Sequence, residues 1–258
     1  MSFIFLLNKM HKLLFIFICT ISIRTKAQDN KIIADRPGET ENAELMHKGY
    51  VQAEIGFRKD QKEKEEYTIY HPGALLRYRL FKQLELRAAL NVVSEKMLAE
   101  KETGLQPLEL GFKLKLLESK GAIPELSLLT HIGIPGLASE QFRADKVFPG
   151  IRLLFQNEIT EKIELGYNIG SEWDGFSSTP QWVYTFSPQF EIADKWELFI
   201  EVFGQLQKGE HPQHHVDGGV VYYINDNVKC DLSGGMGLSP HAMNYFVSTG
   251  ISFQLKTR

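Results

Sequence analysis

Charged side chains stand at alternate positions along several stretches of this chain, and that spacing is the first chemical clue. Arg77 and Arg79, Glu85 and Arg87, Glu109 with Lys113 and Lys115, and Glu197 with Glu201 keep one parity within each stretch, and Glu164 and Glu191 sit in similar alternating surroundings. Residues two apart share a face when the chain is an extended strand. The early group is mostly cationic and the later group acidic. Facing walls of this kind could do one of two things. They could set a transverse field that orients polar solutes in a narrow aqueous passage, or they could close that passage by cross-strand ion pairs.

Other chemistry-bearing residues are less organised. His211, His214 and His215 lie in His-Pro-Gln-His-His. Imidazoles bind zinc or copper only where geometry and supporting groups are defined, and a proline-containing loop supplies neither, so no metal site is assigned. Ser248, Ser252 and His241 could imitate parts of a lipase, but a nucleophile needs a base within reach and a third group to orient it. Asn168-Ile169-Gly170-Ser171 reads as a strand end rather than a nucleophile elbow. No catalytic residue and no cofactor is implied, and the reading is of a non-enzyme.

The elements that must carry these residues are strands. In Tyr245 to Leu255, one face holds Tyr245, Val247, Thr249, Ile251, Phe253 and Leu255, and the other holds Ser248, Gly250, Ser252 and Gln254. Twelve such segments follow one another at about 50–57, 70–80, 84–93, 107–117, 124–134, 150–158, 163–171, 181–192, 196–206, 215–224, 228–238 and 245–255. Each is roughly 8–11 residues long, the length of a tilted transmembrane strand. Leu84, Leu86, Ala88, Leu90 and Val92 oppose Glu85, Arg87, Ala89 and Asn91, and Trp182, Tyr184, Phe186 and Phe190 oppose Thr185, Ser187, Gln189 and Glu191. Short polar turns, such as Ala193-Asp194-Lys195, alternate with longer links, such as Ser94 to Gln106 and Pro135 to Phe148. An even strand number with short turns at one end and long loops at the other predicts an all-β fold, a transmembrane antiparallel up-and-down β-barrel, with both termini in the periplasm. Trp182 and Trp196 fall at strand ends, where interfacial aromatic girdles belong. The competing arrangement is a soluble sandwich or barrel with the apolar face turned inward.

Residues 1–27 read as an export signal: Lys9, His11 and Lys12 precede an apolar core from Leu13 to Ile23, and Thr25-Lys26-Ala27 offers a cleavage site. Cys19 lies inside the apolar core, but Ile18 before it does not suit a lipoprotein site. Removing this segment takes away Lys9, Lys12, Arg24 and Lys26 and no acids, leaving 25 basic residues against 32 acidic, net −7. That balance excludes a nucleic-acid partner, which would demand excess Lys and Arg. Only Cys230 remains, so no internal disulfide can form. Residues 28–49 lack alternation and read as a periplasmic segment, either a plug or latch at the barrel mouth with Arg36 pairing to a lumen carboxylate, or a surface turn. The barrel proper occupies 50–258.

Asp35-Arg36-Pro37-Gly38-Glu39-Thr40-Glu41, followed by Lys48-Gly49-Tyr50-Val51-Gln52-Ala53-Glu54-Ile55-Gly56-Phe57, resembles the N-terminal signature of the MetA-pathway-of-phenol-degradation family, in its Bacteroidota type. The stretch from Tyr245 to Leu255 resembles the last strand of that family. The resemblance implies a Gram-negative outer-membrane barrel, a transporter of small hydrophobic or aromatic molecules, with the solute itself unknown. Its expected partners are outer-membrane lipid and the barrel-assembly machinery. The alternatives are a closed structural or interaction barrel and, third, a membrane-embedded hydrolase.

Overall fold

Alternation along each segment is realised as one closed antiparallel sheet. The structure is a computed structural model that describes residues 31–98 and 100–257; the expected export signal lies outside the described residues. The strands are β1 Tyr50–Gln61, β2 Tyr67–Phe81, β3 Leu84–Met97, β4 Glu100–Leu105, β5 Leu108–Leu117, β6 Glu125–Ile134, β7 Phe148–Thr160, β8 Ile163–Glu172, β9 Gln181–Ala193, β10 Trp196–Gln207, β11 Gln213–Asn225, β12 Val228–Gly237 and β13 Tyr245–Lys256. Each pairs with its sequence neighbour except β4 and β5, and β1 closes the ring on β13 from Tyr50↔Lys256 to Gln61↔Tyr245. Closure removes both sheet edges, which is what allows strands to stand in lipid.

Thirteen strands make a twelve-membered ring because β4 and β5 share one place in it. Both pair with β3, β5 along Leu84–Ala89 and β4 along Val92–Met97. Pro107 separates them, since proline brings no amide hydrogen to a ladder. The link expected as a loop over Ser94–Gln106 is therefore mostly a hairpin that continues the wall beyond the apolar belt. Its pairs include Glu95↔Glu102 and Lys96↔Lys101. Polar side chains on both faces leave no hydrophobic alternation there, so backbone pairing alone marks these strands.

The apolar face points outward. Leu76, Phe57 and Ile200 are more than half exposed, whereas Arg77, Glu85, Lys113 and Glu201 on the inner face are 0–1% exposed. A water-filled surround would reverse this preference, so the outer belt is a lipid-facing surface, and the inward-core sandwich is overturned. Trp182, at the start of β9, and Trp196, at the start of β10, mark opposite rims of the belt. Tight turns such as Lys82-Gln83 and Asp226-Asn227 lie at the same end as Tyr50 and Lys256. The longer loops, 135–147 and 173–180 among them, lie at the other.

Candidate functional site: a charged lumen crossed by the N-terminal strap

Residues 31–49 form no strand, yet several are among the most buried in the molecule: Ile32, Ala43, Leu45 and Met46 are 0–2% exposed. This strap enters at the tight-turn end, where the Ile32 amide donates to the Asp226 carbonyl (2.7 Å). It leaves at the same end, where Gly49 accepts from the Thr257 amide (2.7 Å) just before β1 begins. Between these points the Asn42 amide donates to Asp35 Oδ1 (3.0 Å) and closes the strap into a loop. The strap touches side chains of β1, β2, β3, β5, β6, β7, β8, β9, β10, β12 and β13. Only a segment inside a closed ring can meet so many of its members.

An irregular backbone at membrane depth must have its polar groups satisfied by protein. The inner wall supplies the partners one by one. The amides of Asp35 and Arg36 donate to Glu54 Oε2 (3.1 and 3.0 Å). Those of Glu39 and Thr40 donate to Glu201 (2.7 and 2.6 Å), and those of Glu41, Ala43 and Met46 to Asn168, Gln156 and Glu85. The carbonyls are served likewise: Gln52 and Arg77 donate to that of Ile33, Lys229 to that of Arg36, Lys113 to that of Asn42, Ser127 to that of Ala43 and Arg79 to that of Met46. Ala43 packs on Leu129 of β6 and Leu154 of β7.

The strap's side chains are held by charge. Asp35 lies 3.1 Å from Arg77, 2.6 Å from Arg87 and 3.0 Å from Lys113. Glu41 is 2.9 Å from Arg87 and 3.9 Å from Lys113, and Glu39 pairs with Arg58. The Thr40 hydroxyl donates to Glu201 and accepts from the Thr185 hydroxyl. Arg36 runs the other way, donating to both oxygens of Asp231 (3.2 and 2.8 Å) and to Ser248 (3.1 Å). Its guanidinium lies flat over Gly56 and Gly250, which face each other across β1 and β13, and a Cβ on either would collide with it. Burial alone would raise the Asp35 carboxyl, but Arg77, Lys113 and Arg87 together hold it well below the usual carboxylate range. Burial pushes Glu41 up to about 7, against the pull of Arg87 and with the charge of Asp35 adding to the rise.

The expected wall residues fall into two groups. Arg77, Arg79, Glu85, Arg87, Lys113 and Glu201 touch the strap through the contacts above. Glu191 joins them, 3.7 Å from Lys31 of the strap, whereas Lys115 pairs with Glu125 (2.6 Å), Glu109 sits 3.8 Å from His131, Glu164 accepts from Gln156 (3.0 Å) and Glu197 accepts from Tyr223 (3.1 Å). Sequence reasoning missed Glu54, Arg58, Asn168 and Asp231. The parity of Gln52, Glu54, Gly56 and Arg58 on β1, and of Lys229, Asp231 and Ser233 on β12, carries the signal that would have found three of them. The histidines do not converge. His211 stacks on His241 (4.0 Å between centroids), His214 bonds to the Tyr184 hydroxyl (2.7 Å), and His215 is buried on the ring of Phe203 (4.7 Å).

A cavity of about 220 Å³ opens between the strap and β1–β3, with Asp35, Arg36 and Glu41 on one side and Gly73, Leu75 and Ala89 on the other. Among solved structures, the chain is similar to the COG4313 outer membrane channel from Pseudomonas putida F1, with a TM-score of 0.65 at 11% identity over 85% of this chain and 99% of that one. It is also similar to the KdgM porin in complex with disordered oligogalacturonate (0.55 at 8% identity, 78% and 98% covered) and to the NanC porin (0.52 at 10% identity, 80% and 100% covered). At such identities the likeness is one of fold. No curated protein matches the chain. The family model described as "Putative MetA-pathway of phenol degradation" matches residues 34–255, from inside the strap to the last strand, and the chain belongs to that family.

Proposed function

We propose that this protein is an outer-membrane channel for small, apolar or aromatic molecules, with the strap as a plug that must shift for passage. The observation that carries the reading is the division of labour inside the barrel. Much of the polar inner wall is bonded to a separate, tethered segment rather than to the wall alone. Displacing a tethered loop asks only that its bonds be exchanged for water, whereas opening a wall-to-wall core would disturb the sheet. The cavity beside the strap, about 220 Å³ and lined by charged as well as apolar residues, supports only the solute size, since about 150 Å³ is enough for benzene. The family description supports the solute class. Short turns at the end bearing Tyr50 and Lys256 favour a periplasmic position for that end, reached through the barrel-assembly machinery.

A second reading, a closed structural or interaction barrel, draws on the thoroughness with which the strap is bonded. Single-channel recording in planar bilayers separates the two. The protein lacking residues 1–27 is compared with a variant lacking 1–46, each first shown to be folded by heat-modifiable gel migration. Larger, discrete, salt-dependent steps in the shorter protein support a plugged channel. A folded but silent variant would rule the channel out and favour the closed barrel.

A further inference from the structure

We infer that Arg77, Arg87 and Lys113, on β2, β3 and β5, form a binding site for a small carboxylate solute with an apolar body, a site that the strap's own Asp35 and Glu41 occupy at rest. The inference deepens the channel reading and rests on it for its biological sense, but its test reads binding alone.

The three cations come from adjacent places in the ring and are 0–8% exposed. They converge on one carboxylate, that of Asp35, at 2.6–3.1 Å. Two of them also reach a second, that of Glu41. The wall compensates them unevenly. Arg77 has Glu54 at 2.8 Å and Glu85 at 2.7 Å, while Arg87 has Glu85 at 3.5 Å. Among the described residues, both carboxylates within 4.0 Å of Lys113 belong to the strap. Withdrawing the strap therefore leaves three buried cations facing two wall carboxylates, with Lys113 and Arg87 bearing the deficit. Cations left without a carboxylate depend on water or on an incoming anion for compensation. A carboxylate arriving from outside repays them by the same bidentate and charge-assisted bonds that Asp35 now makes.

The cavity says what else such a solute needs. Asp35 and Glu41 line it and also pair with the cations, so Arg77, Arg87 and Lys113 lie behind these two carboxylates rather than in the lining. Gly73, Ala74, Leu75 and Ala89 line it as well and give an apolar body an uncharged strip, beside the charged Arg36, Glu39, Glu54 and Arg58. A benzoate-sized molecule can place its head toward Arg87 and Lys113 while its ring lies on Leu75 and Ala89. The head displaces Asp35 and Glu41, so binding and plug release become one event. A neutral aromatic alcohol fits the cavity but has no charge with which to compete, so the site selects carboxylates.

The test is calorimetric titration of benzoate, and of benzyl alcohol as its neutral counterpart, into the signal-free barrel folded in detergent. A tethered competitor reduces apparent affinity by the fraction of time it holds the site. The double variant D35N/E41Q should bind benzoate about tenfold or more tightly than the parent protein, with benzyl alcohol unchanged, and adding K113M should abolish the gain. Benzoate binding that is no tighter in D35N/E41Q, or a gain shared equally by benzyl alcohol, would overturn the proposal. Should the double variant fail to fold, D35N alone carries the test: tighter benzoate binding supports the site, and unchanged binding refutes it. A barrel that binds benzoate in this pattern but never conducts would defeat the channel reading and leave the carboxylate site standing. A conducting barrel without the pattern would do the reverse.

Discussion

Asp35→Asn is the most informative perturbation of the strap. Asparagine keeps the size of the side chain and an acceptor for the Asn42 amide, and it removes only the charge. Three buried cations then lose a carboxylate at 3.1, 2.6 and 3.0 Å. Removing one member of a buried ion cluster costs about 3–5 kcal/mol, because its partners stay buried and uncompensated. Arg77 retains Glu54 and Glu85, so the loss falls on Arg87 and Lys113, and the lower end, about 3 kcal/mol, is the appropriate figure. That energy shifts the strap between docked and released by about a hundredfold. Hydrogen exchange followed by mass spectrometry reads this directly, because amides along residues 35–46 are bonded to wall side chains and are protected while docked. The expected result is strap exchange about a hundredfold faster in D35N, with the β1–β13 ladder as protected as before. Unchanged strap protection would refute the view that the wall cations hold the strap. Equal loss of protection in the ladder would refute the view that the strap can leave an intact barrel.

Three further outcomes follow from the same contacts. Gly250→Val should drive the Arg36 guanidinium off its glycine bed and away from Asp231, accelerating exchange at Asp35 and Arg36 while heat-modifiable migration shows a folded barrel. Thr40→Val removes the hydroxyl bonded to Thr185 and Glu201, leaves Glu201 with two strap amides, and should weaken docking by about 1–2 kcal/mol, read as faster exchange at Glu39 and Thr40. Docking should also depend on pH with opposite signs from two carboxyls. Asp35, held below its ordinary value of 3.8, contributes stability above that value that is lost as pH falls through its docked value. Glu41, raised from 4.5 to about 7, contributes stability that is complete below 4.5 and lost as pH rises through 7. Strap exchange corrected for intrinsic rate should therefore be faster at pH 8 than at pH 6, and Glu41→Gln should reduce the difference.

The strands, their faces and their turns were readable in the chain because each depends on local geometry. A pleated strand sends neighbours to opposite sides, so Leu84, Leu86 and Leu90 against Glu85, Arg87 and Asn91 already sorts the apolar face from the polar one, while exposure in the closed ring decides that the apolar face is outside. The same parity places Arg77, Lys113 and Glu201 inside. It holds only where one face is apolar, which is why the polar hairpin of β3 and β4 read as a loop although its backbone pairs as regularly as the rest. Asp35 to Glu41 was legible as a distinctive polar strip whose position inside or outside the barrel stayed open, because it has no period and its partners are remote. Arg36 finds Asp231 and Ser248 195 and 212 residues away, and Thr40 finds Glu201 161 residues away. Which carboxylate meets which cation is set by closing the ring and threading the strap through it. Side chains from eleven strands then stand within bonding distance of one short loop, and that proximity exists only in three dimensions.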